Sequence, residues 1–224
     1  MSPRTGPSGP LSRERIVAAA VELADQDGLE AVSMRRVAEH LQTGAASLYR
    51  HVSHRDELVT AMVEQVTGDY DYPDPAGLRW RECMHVLARQ DLSAFLAHPW
   101  MLTATATVTP PFGTASLAAM EWALSALAQL RLPPHEAARA IMTINNYVQG
   151  TARVLLGDRQ ANAAEDPGRS WQQRLRDVDL RAFPFLRALI SDSLPEGDRN
   201  WFEDGLDVIL DGVEARRVQS PSSR

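Results

Sequence analysis

The chain contains no lysine: all 23 of its basic residues are arginine. Arginine suits bidentate contact with phosphate and guanine, but genome composition is the commoner cause of such a bias. Cysteine occurs once, at Cys83, which excludes an intrachain disulfide framework and a cysteine-built metal cage. A buried, inert thiol is its default reading. No stretch is long and apolar enough to span a bilayer, and no signal-peptide pattern opens the sequence. No membrane partner is therefore expected, and the cytoplasm is the expected compartment. The strict apolar/polar alternation of a half-buried strand is missing. So are a phosphate-binding glycine loop, a nucleophile–base constellation and metal-ligand spacing. An enzyme is not expected, nor a cofactor, nor a metal.

What is present is helical. The 224 residues, 44% hydrophobic and 23% charged, can bury a substantial core in one large domain or in a small one joined to a larger. The net charge of −6 argues at first against nucleic acid, but its distribution matters more than its sum. Between Ala31 and Arg55 the charged residues are Arg35, Arg36, Arg50, Arg55 and Glu39, a local +3 that leaves −9 on the rest.

Helical periodicity runs through almost the whole chain, so the expected fold class is all-α. A first helix is predicted from an N-cap at Ser12 to a stop at Gly28, and a second after Ser33. A turn follows at Gln42-Thr43-Gly44, then a short third helix over about Ala45 to His51. A fourth opens with a capping box between Ser53 and Asp56. The stretch from Gly68 to Gly77 reads as a linker, and its acidic run from Asp69 to Asp74 as a solvated loop. Further helices are predicted over roughly 78–97, 100–107, 114–131, 134–156, 186–192 and 198–217, with a polar loop near 162–169. The domain plan is a disordered arm over 1–10, a helix-turn-helix DNA-binding domain over 11–57, a larger helical body over 58–218, and a disordered tail over 219–224.

The chemistry lies between Ser33 and Leu58. Two short helices around a tight turn can place the second in a DNA major groove. At Ser33 a hydroxyl and a helix N-terminus can meet a phosphate. Arg35 lies in the first turn of its helix, an unfavourable place for a cation, which an external anion or a base edge would explain. Ala45, Ala46 and Ser47 are small enough for close approach, and alanine methyls can touch a thymine methyl. Leu48 is expected in the core. Tyr49, Arg50 and His51 follow along the groove, and Arg55 is placed to anchor the DNA backbone. Any one of these arginines is more often a solvated surface residue, and Tyr49 alone more simply a packing residue. Their combination points to double-stranded DNA.

At these residues the chain closely resembles the tetracycline-repressor (TetR) family of one-component regulators. The resemblance runs from Gly28-Leu29 through SMRRVAEHLQTGAASLYRHV to Asp56-Glu57-Leu58, with Leu48-Tyr49 followed by His51-Val52 especially typical. It is specific over about 11–66. It is looser in the body, where the neighbourhoods of Trp80, His98-Pro99-Trp100 and Tyr147-Val148-Gln149-Gly150 resemble the tetracycline-repressor-type C-terminal domain. The resemblance implies an all-helical homodimer with DNA-binding N-terminal helices and a body holding a small-molecule pocket and the dimer interface. Repression of an operator, relieved by an effector, is the family's common mode. Residues at the family's DNA-contact positions are Ser33, Arg35, Ala45, Ala46, Ser47, Tyr49, Arg50, His51 and Arg55. The chain departs from the pattern at Gln42 and Thr43, where Gly-Val is usual, and at Gly44, where a polar cap is common. Glycine is an acceptable N-cap; the base preference is the open point, because Ala45 and Ala46 offer no hydrogen bonds.

In the body, Ala138, Ile141, Asn145, Val148, Ala152 and Leu155 share one helical stripe, and Met142, Asn146, Gln149 and Arg153 the next. Buried amides need partners, which a sister subunit, a ligand or each other can supply. Two glycines seven apart, Gly205 and Gly212, suggest a close helix crossing. The expected dimer contacts are Ala138, Asn145, Ala152, Gly205, Val208 and Gly212. Candidates for the effector pocket are His98, Trp100, Met101, Trp122, Asn146 and Gln149, most of them more simply core residues. Control by a partner protein instead of a small ligand is the alternative.

Overall fold

The computed structural model describes residues 10–106, 113–160, 175, 178–191 and 200–219. Ten α-helices occur among them: α1 (Arg13–Asp27), α2 (Met34–His40), α3 (Ala45–Leu48), α4 (Arg55–Gly68), α5 (Trp80–Ala97), α6 (Met101–Thr105), α7 (Thr114–Leu127), α8 (Pro134–Gln160), α9 (Pro184–Ser191) and α10 (Trp201–Gln219). No strand occurs among the described residues. The polar loop near 162–169 lies outside them, as do the arm before Pro10 and the tail beyond Gln219. No helix among the described residues is long and apolar enough to cross a membrane. The chain forms two units, one drawn from the part up to Asp71 together with Ala97–Glu121, the other from Tyr72–Leu96 and from Trp122 onward.

In the first unit the apolar stripe of α1 folds as its spacing dictates. Ile16, Ala20, Leu23 and Ala24 are buried together with Val17 and Val21. The Ser12 hydroxyl accepts from the Arg15 amide at 3.3 Å, and Gly28, at φ 81°, ends the helix. Helix α1 packs on α2 and α4. Ile16, Val37, Leu48, Leu58 and Met62 have no exposed surface. Burial of each of these larger apolar side chains stabilises by about 1.5–3 kcal/mol.

The turn between α2 and α3 runs through Gln42 at φ 54°, a left-handed backbone that glycine adopts without penalty. The Thr43 amide closes it on the Ala38 carbonyl at 2.9 Å. The helix expected over Ala45 to His51 is shorter: α3 ends at Leu48, and the next residues form a turn in which the His51 amide reaches the Leu48 carbonyl at 2.8 Å. The capping box of α4 is shifted by one residue from Ser53–Asp56. His54 is the N-cap, its Nδ1 accepting from the Glu57 amide at 3.1 Å. Glu57 reaches back to the Ser53 amide at 2.8 Å. The longer glutamate arm completes the box where Asp56 does not.

In the second unit α8 packs on α10. The buried face of α8 holds Ala137, Ala140, Ile141, Ile144, Val148, Thr151 and Ala152. The expected stripe is therefore rotated: Ala138 is exposed and Asn145 half-buried. Helix α8 also passes through Gly157 to Gln160 instead of stopping there. Gly157 has no left-handed φ to force an end. Gly205 marks a close crossing inside the chain, since a Cβ there would run into the Tyr147 side chain. Tyr147 is held in place: its ring stacks on Phe202 at 5.7 Å and its hydroxyl donates to the Phe202 carbonyl at 3.0 Å.

The aspartates of the linker, Asp69, Asp71 and Asp74, are exposed as expected, but Tyr72 and the Pro73 carbonyl dock it on Trp122. Tyr72 stacks on Trp122 with ring centroids 4.5 Å apart, and the Trp122 indole donates to the Pro73 carbonyl at 2.7 Å. Gln129 accepts from the Trp80 amide at 2.9 Å and donates to the Leu78 carbonyl at 3.0 Å. A charge lattice joins α5 to α10. Arg81 contacts Asp207, Asp211 and Glu214; His85 lies between Glu203 and Asp207; Arg89 contacts Glu203 at 2.6 Å. Burial raises the pKa of Glu203 and Asp207, but Arg89 and His85 at the first, and His85 and Arg81 at the second, outweigh it and hold both below the ordinary carboxylate range.

Three outcomes are expected. Gln42→Gly should raise the unfolding free energy by about 1 kcal/mol in chemical denaturation, because it relieves the left-handed residue. Gly205→Ala should lower it by about 1–3 kcal/mol through overpacking against Tyr147. The depressed carboxylates stabilise the fold above their unfolded pKa and lose that contribution as pH falls through the folded one. Stability should therefore drop below about pH 4.5, with a shallower slope in Glu203→Gln.

Candidate nucleic-acid interface

Helix α3 has only four residues, too few to be stable alone, so its neighbours must hold it. Leu48 and Val52, at 0% and 1% exposure, plug it into the core. At the start of α1, Arg13 donates to the His51 carbonyl at 2.9 Å and to Glu57 at 2.6 Å. The Arg13 guanidinium and the Ser53 amide hold the Glu57 carboxyl down at about 2. At the start of α4, Arg55 donates through Nε to the Val32 carbonyl at 2.8 Å and through Nη2 to the Leu29 carbonyl at 2.9 Å. Those carbonyls belong to the turn that presents α2.

The candidate contact residues thus separate by employment. Arg55, expected to anchor DNA, is half-buried and committed to the α1–α2 turn. The Ser33 hydroxyl caps α2 by accepting from the Arg36 amide at 3.2 Å. Arg36 pairs with Asp27 at 2.6 Å. Arg35 is 86% exposed but already has an anion, Glu39, at 2.8 Å one turn on. Its first-turn position therefore does not by itself require an external partner. Ala45, Ser47 and His51 are half-buried and Ala46 is exposed. Tyr49 is 54% exposed and Arg50 is exposed, and neither side chain has a hydrogen-bond or ionic partner among the described residues. The sequence reading missed Arg13. Its only signal is a cation just inside the first helix, matched to a glutamate at the third position of the α4 cap.

The body candidates are placed as follows. His98 Nδ1 and Trp100 Nε1 both bond Asp25 of α1, at 2.8 and 2.7 Å, and Met101 is buried. Trp122 is committed to Tyr72 and Pro73. Gln149 donates to Asn145 at 2.7 Å, and Asn146 is exposed. Of the expected dimer contacts, Ala152 is sealed inside its own unit and Gly205 faces Tyr147. Ala138, Val208 and Gly212 are exposed, the last two bordering a groove between α8 and α10.

Residues 16–62 match the family model for bacterial regulatory proteins of the tetR family, and residues 72–217 match the tetracyclin repressor-like C-terminal domain. The chain belongs to the TetR family. It is accordingly a DNA-binding transcriptional regulator, not an enzyme. It is 34% identical to the HTH-type transcriptional repressor DrrR1 of Streptomyces coeruleorubidus over 97% of this chain and 82% of that one. It is 28% identical to the class A tetracycline repressor protein of Escherichia coli over 93% of each. Among solved structures, apo ActR of Streptomyces coelicolor superposes with a TM-score of 0.75 at 30% identity, covering 95% of this chain and 99% of that one. ActR in complex with actinorhodin gives 0.73 at 31%, covering 93% and 99%. Members of this family bind DNA as dimers and take small-molecule ligands.

The contrast between committed and uncommitted arginines is testable by stability alone. Arg55→Ala should lower the unfolding free energy by about 1.5–3 kcal/mol, leaving two carbonyls without their charged donor. Arg50→Ala should change it by no more than about 0.5 kcal/mol, as for an ordinary surface site. Equal effects in urea denaturation would contradict the assignment.

Proposed function

We propose that this TetR-family chain is a homodimeric repressor that reads operator DNA through α3 and is released by a small molecule. The observation that carries the DNA reading is the exposed, unpartnered pair Tyr49–Arg50, standing on a turn whose neighbouring arginines are occupied within the fold. Arg50 supplies the charge and the bidentate donors, to a phosphate or to guanine. Tyr49 supplies a hydroxyl on a rigid ring. Ala45, Ala46 and Ser47 let the helix approach base edges closely, and His51 lies at the exit. Ser33 and Arg35 flank the groove on α2, Arg35 exchanging Glu39 for phosphate. Arg55 acts by positioning rather than by contact.

Dimerisation is assigned to the exposed face of α8 and α10. Met142 and Ala138 on α8 and Val208 and Gly212 on α10 are exposed, Met142 to 57% and Val208 to 73%. A second copy would cover these exposed apolar residues. For the effector, the ligand-bound ActR relative supports a small molecule over a partner protein. Asn146 and Gln149 remain as candidate polar contacts. An effector that prefers a displaced α4 changes the separation of the two recognition helices, which must match half-sites about one helical turn apart. A tenfold release requires only about 1.4 kcal/mol of coupling.

Selection of duplex DNA from a random pool, followed by fluorescence anisotropy on the enriched site, tests the reading. Arg50→Ala should weaken specific binding by about 1–3 kcal/mol, or 5- to 150-fold. Unchanged affinity and sequence preference would remove Arg50 from the interface. Val208→Glu should shift the dimer toward monomer in sedimentation; a tight dimer would reject that face. Actinorhodin is the first probe for release from the selected site.

A further inference from the structure

The α6 segment and the start of α7 are tied to the DNA reader at two points, each through a carboxylate. Asp25, in the last turn of α1, accepts from His98 Nδ1 at 2.8 Å and from Trp100 Nε1 at 2.7 Å, both through Oδ1. An acid in a helix's last turn opposes the macrodipole, so these two donors are what offsets its placement. Glu64 of α4 accepts from the Ala115 amide at 2.7 Å, the Ser116 amide at 3.1 Å and the Ser116 hydroxyl at 2.7 Å. It thereby caps α7 from another helix. Burial raises the Glu64 pKa, but these donors outweigh it and hold it below its ordinary value. Gly113 lies so close that any Cβ would run into the Glu64 side chain. Helix α6 also packs on α4. All of these residues belong to the first unit.

Helices α1 and α4 are the two that carry Arg13 and Arg55, the arginines that hold the recognition turn and the approach to α2. We propose that the α6 segment and the α7 N-terminus form a strut between α1 and α4, anchored by Asp25 and Glu64. The strut sets the spacing on which the placement of α3 depends, so these two acids are positioning residues for DNA recognition. Neither carries a donor that a phosphate could use; their effect on binding is indirect. A strut of this kind discriminates: specific docking demands a defined geometry, whereas non-specific binding rests on charge alone.

This inference rests on the DNA-binding reading, and its test separates the two. Full-length Asp25→Asn, Glu64→Gln and the double variant are titrated with the selected operator and with an unrelated duplex of equal length, at one salt concentration. Losing two carboxylate charges should leave binding to the unrelated duplex unweakened or slightly stronger, while the operator-to-unrelated ratio of the double variant should fall about 5- to 20-fold. Operator binding should also slow hydrogen exchange of the Ala115 and Ser116 amides in the unsubstituted protein, an effect lost in Glu64→Gln. Folded variants with an unchanged operator-to-unrelated ratio overturn the strut. If the double variant does not fold, the unsubstituted protein decides, since normal operator binding without any change at those two amides overturns the strut equally. Failure of the unsubstituted protein to bind any selected duplex overturns the DNA reading itself, and the strut with it.

Discussion

A four-residue recognition helix cannot hold itself, and the rest of the reader follows from that constraint. With one hydrogen-bonded turn, α3 lies below the length at which helix formation becomes favourable in water. Its position comes from outside: Leu48 and Val52 in the core, Arg13 on the His51 carbonyl, and Arg55 on the carbonyls that lead into α2. Three of the arginines in and around the reader are therefore structural, Arg36 being the third through Asp27. The local positive charge that first suggests DNA is largely neutralised or turned inward, and the surface that remains is small and specific in its chemistry.

The elements most legible in the sequence were those governed by local rules. Ser12 and Ser33 cap where a hydroxyl must satisfy free amides, Gly28 stops α1, and the α1 stripe packs as its spacing requires. Several of the misread features depended on tertiary partners. The α4 cap moved to His54 because Glu57, steadied by Arg13, reaches the Ser53 amide. The α8 stripe rotated because alanines at 137, 138 and 140 look alike until α10 is in place. Linker residues Tyr72 and Pro73 read as solvated because nothing local announces Trp122.

The same distinction runs through the site. Residue type and order placed Tyr49 and Arg50 on the exposed side of the turn after α3, since a long, polar side chain following a buried leucine has few other places to go. They could not separate Arg50 from Arg55, which differ only in whether backbone carbonyls lie within reach. Nor could they show that His98 and Trp100 converge on Asp25, a residue more than seventy positions away. Gly205 was legible as a close crossing, but its neighbour is Tyr147 of the same chain rather than a sister subunit.

The commitment of Arg13, Arg36 and Arg55 to internal partners has a consequence for how the regulator responds to its surroundings. Each phosphate neutralised by a protein cation releases condensed counterions, and the number released sets how steeply affinity falls with ionic strength. Among the described residues the reader leaves Arg50 unengaged and Arg35 on an exposed, exchangeable partner, so that release is modest. Its affinity for an operator should therefore fall with ionic strength less steeply than that of a reader whose arginines were all free to meet phosphate.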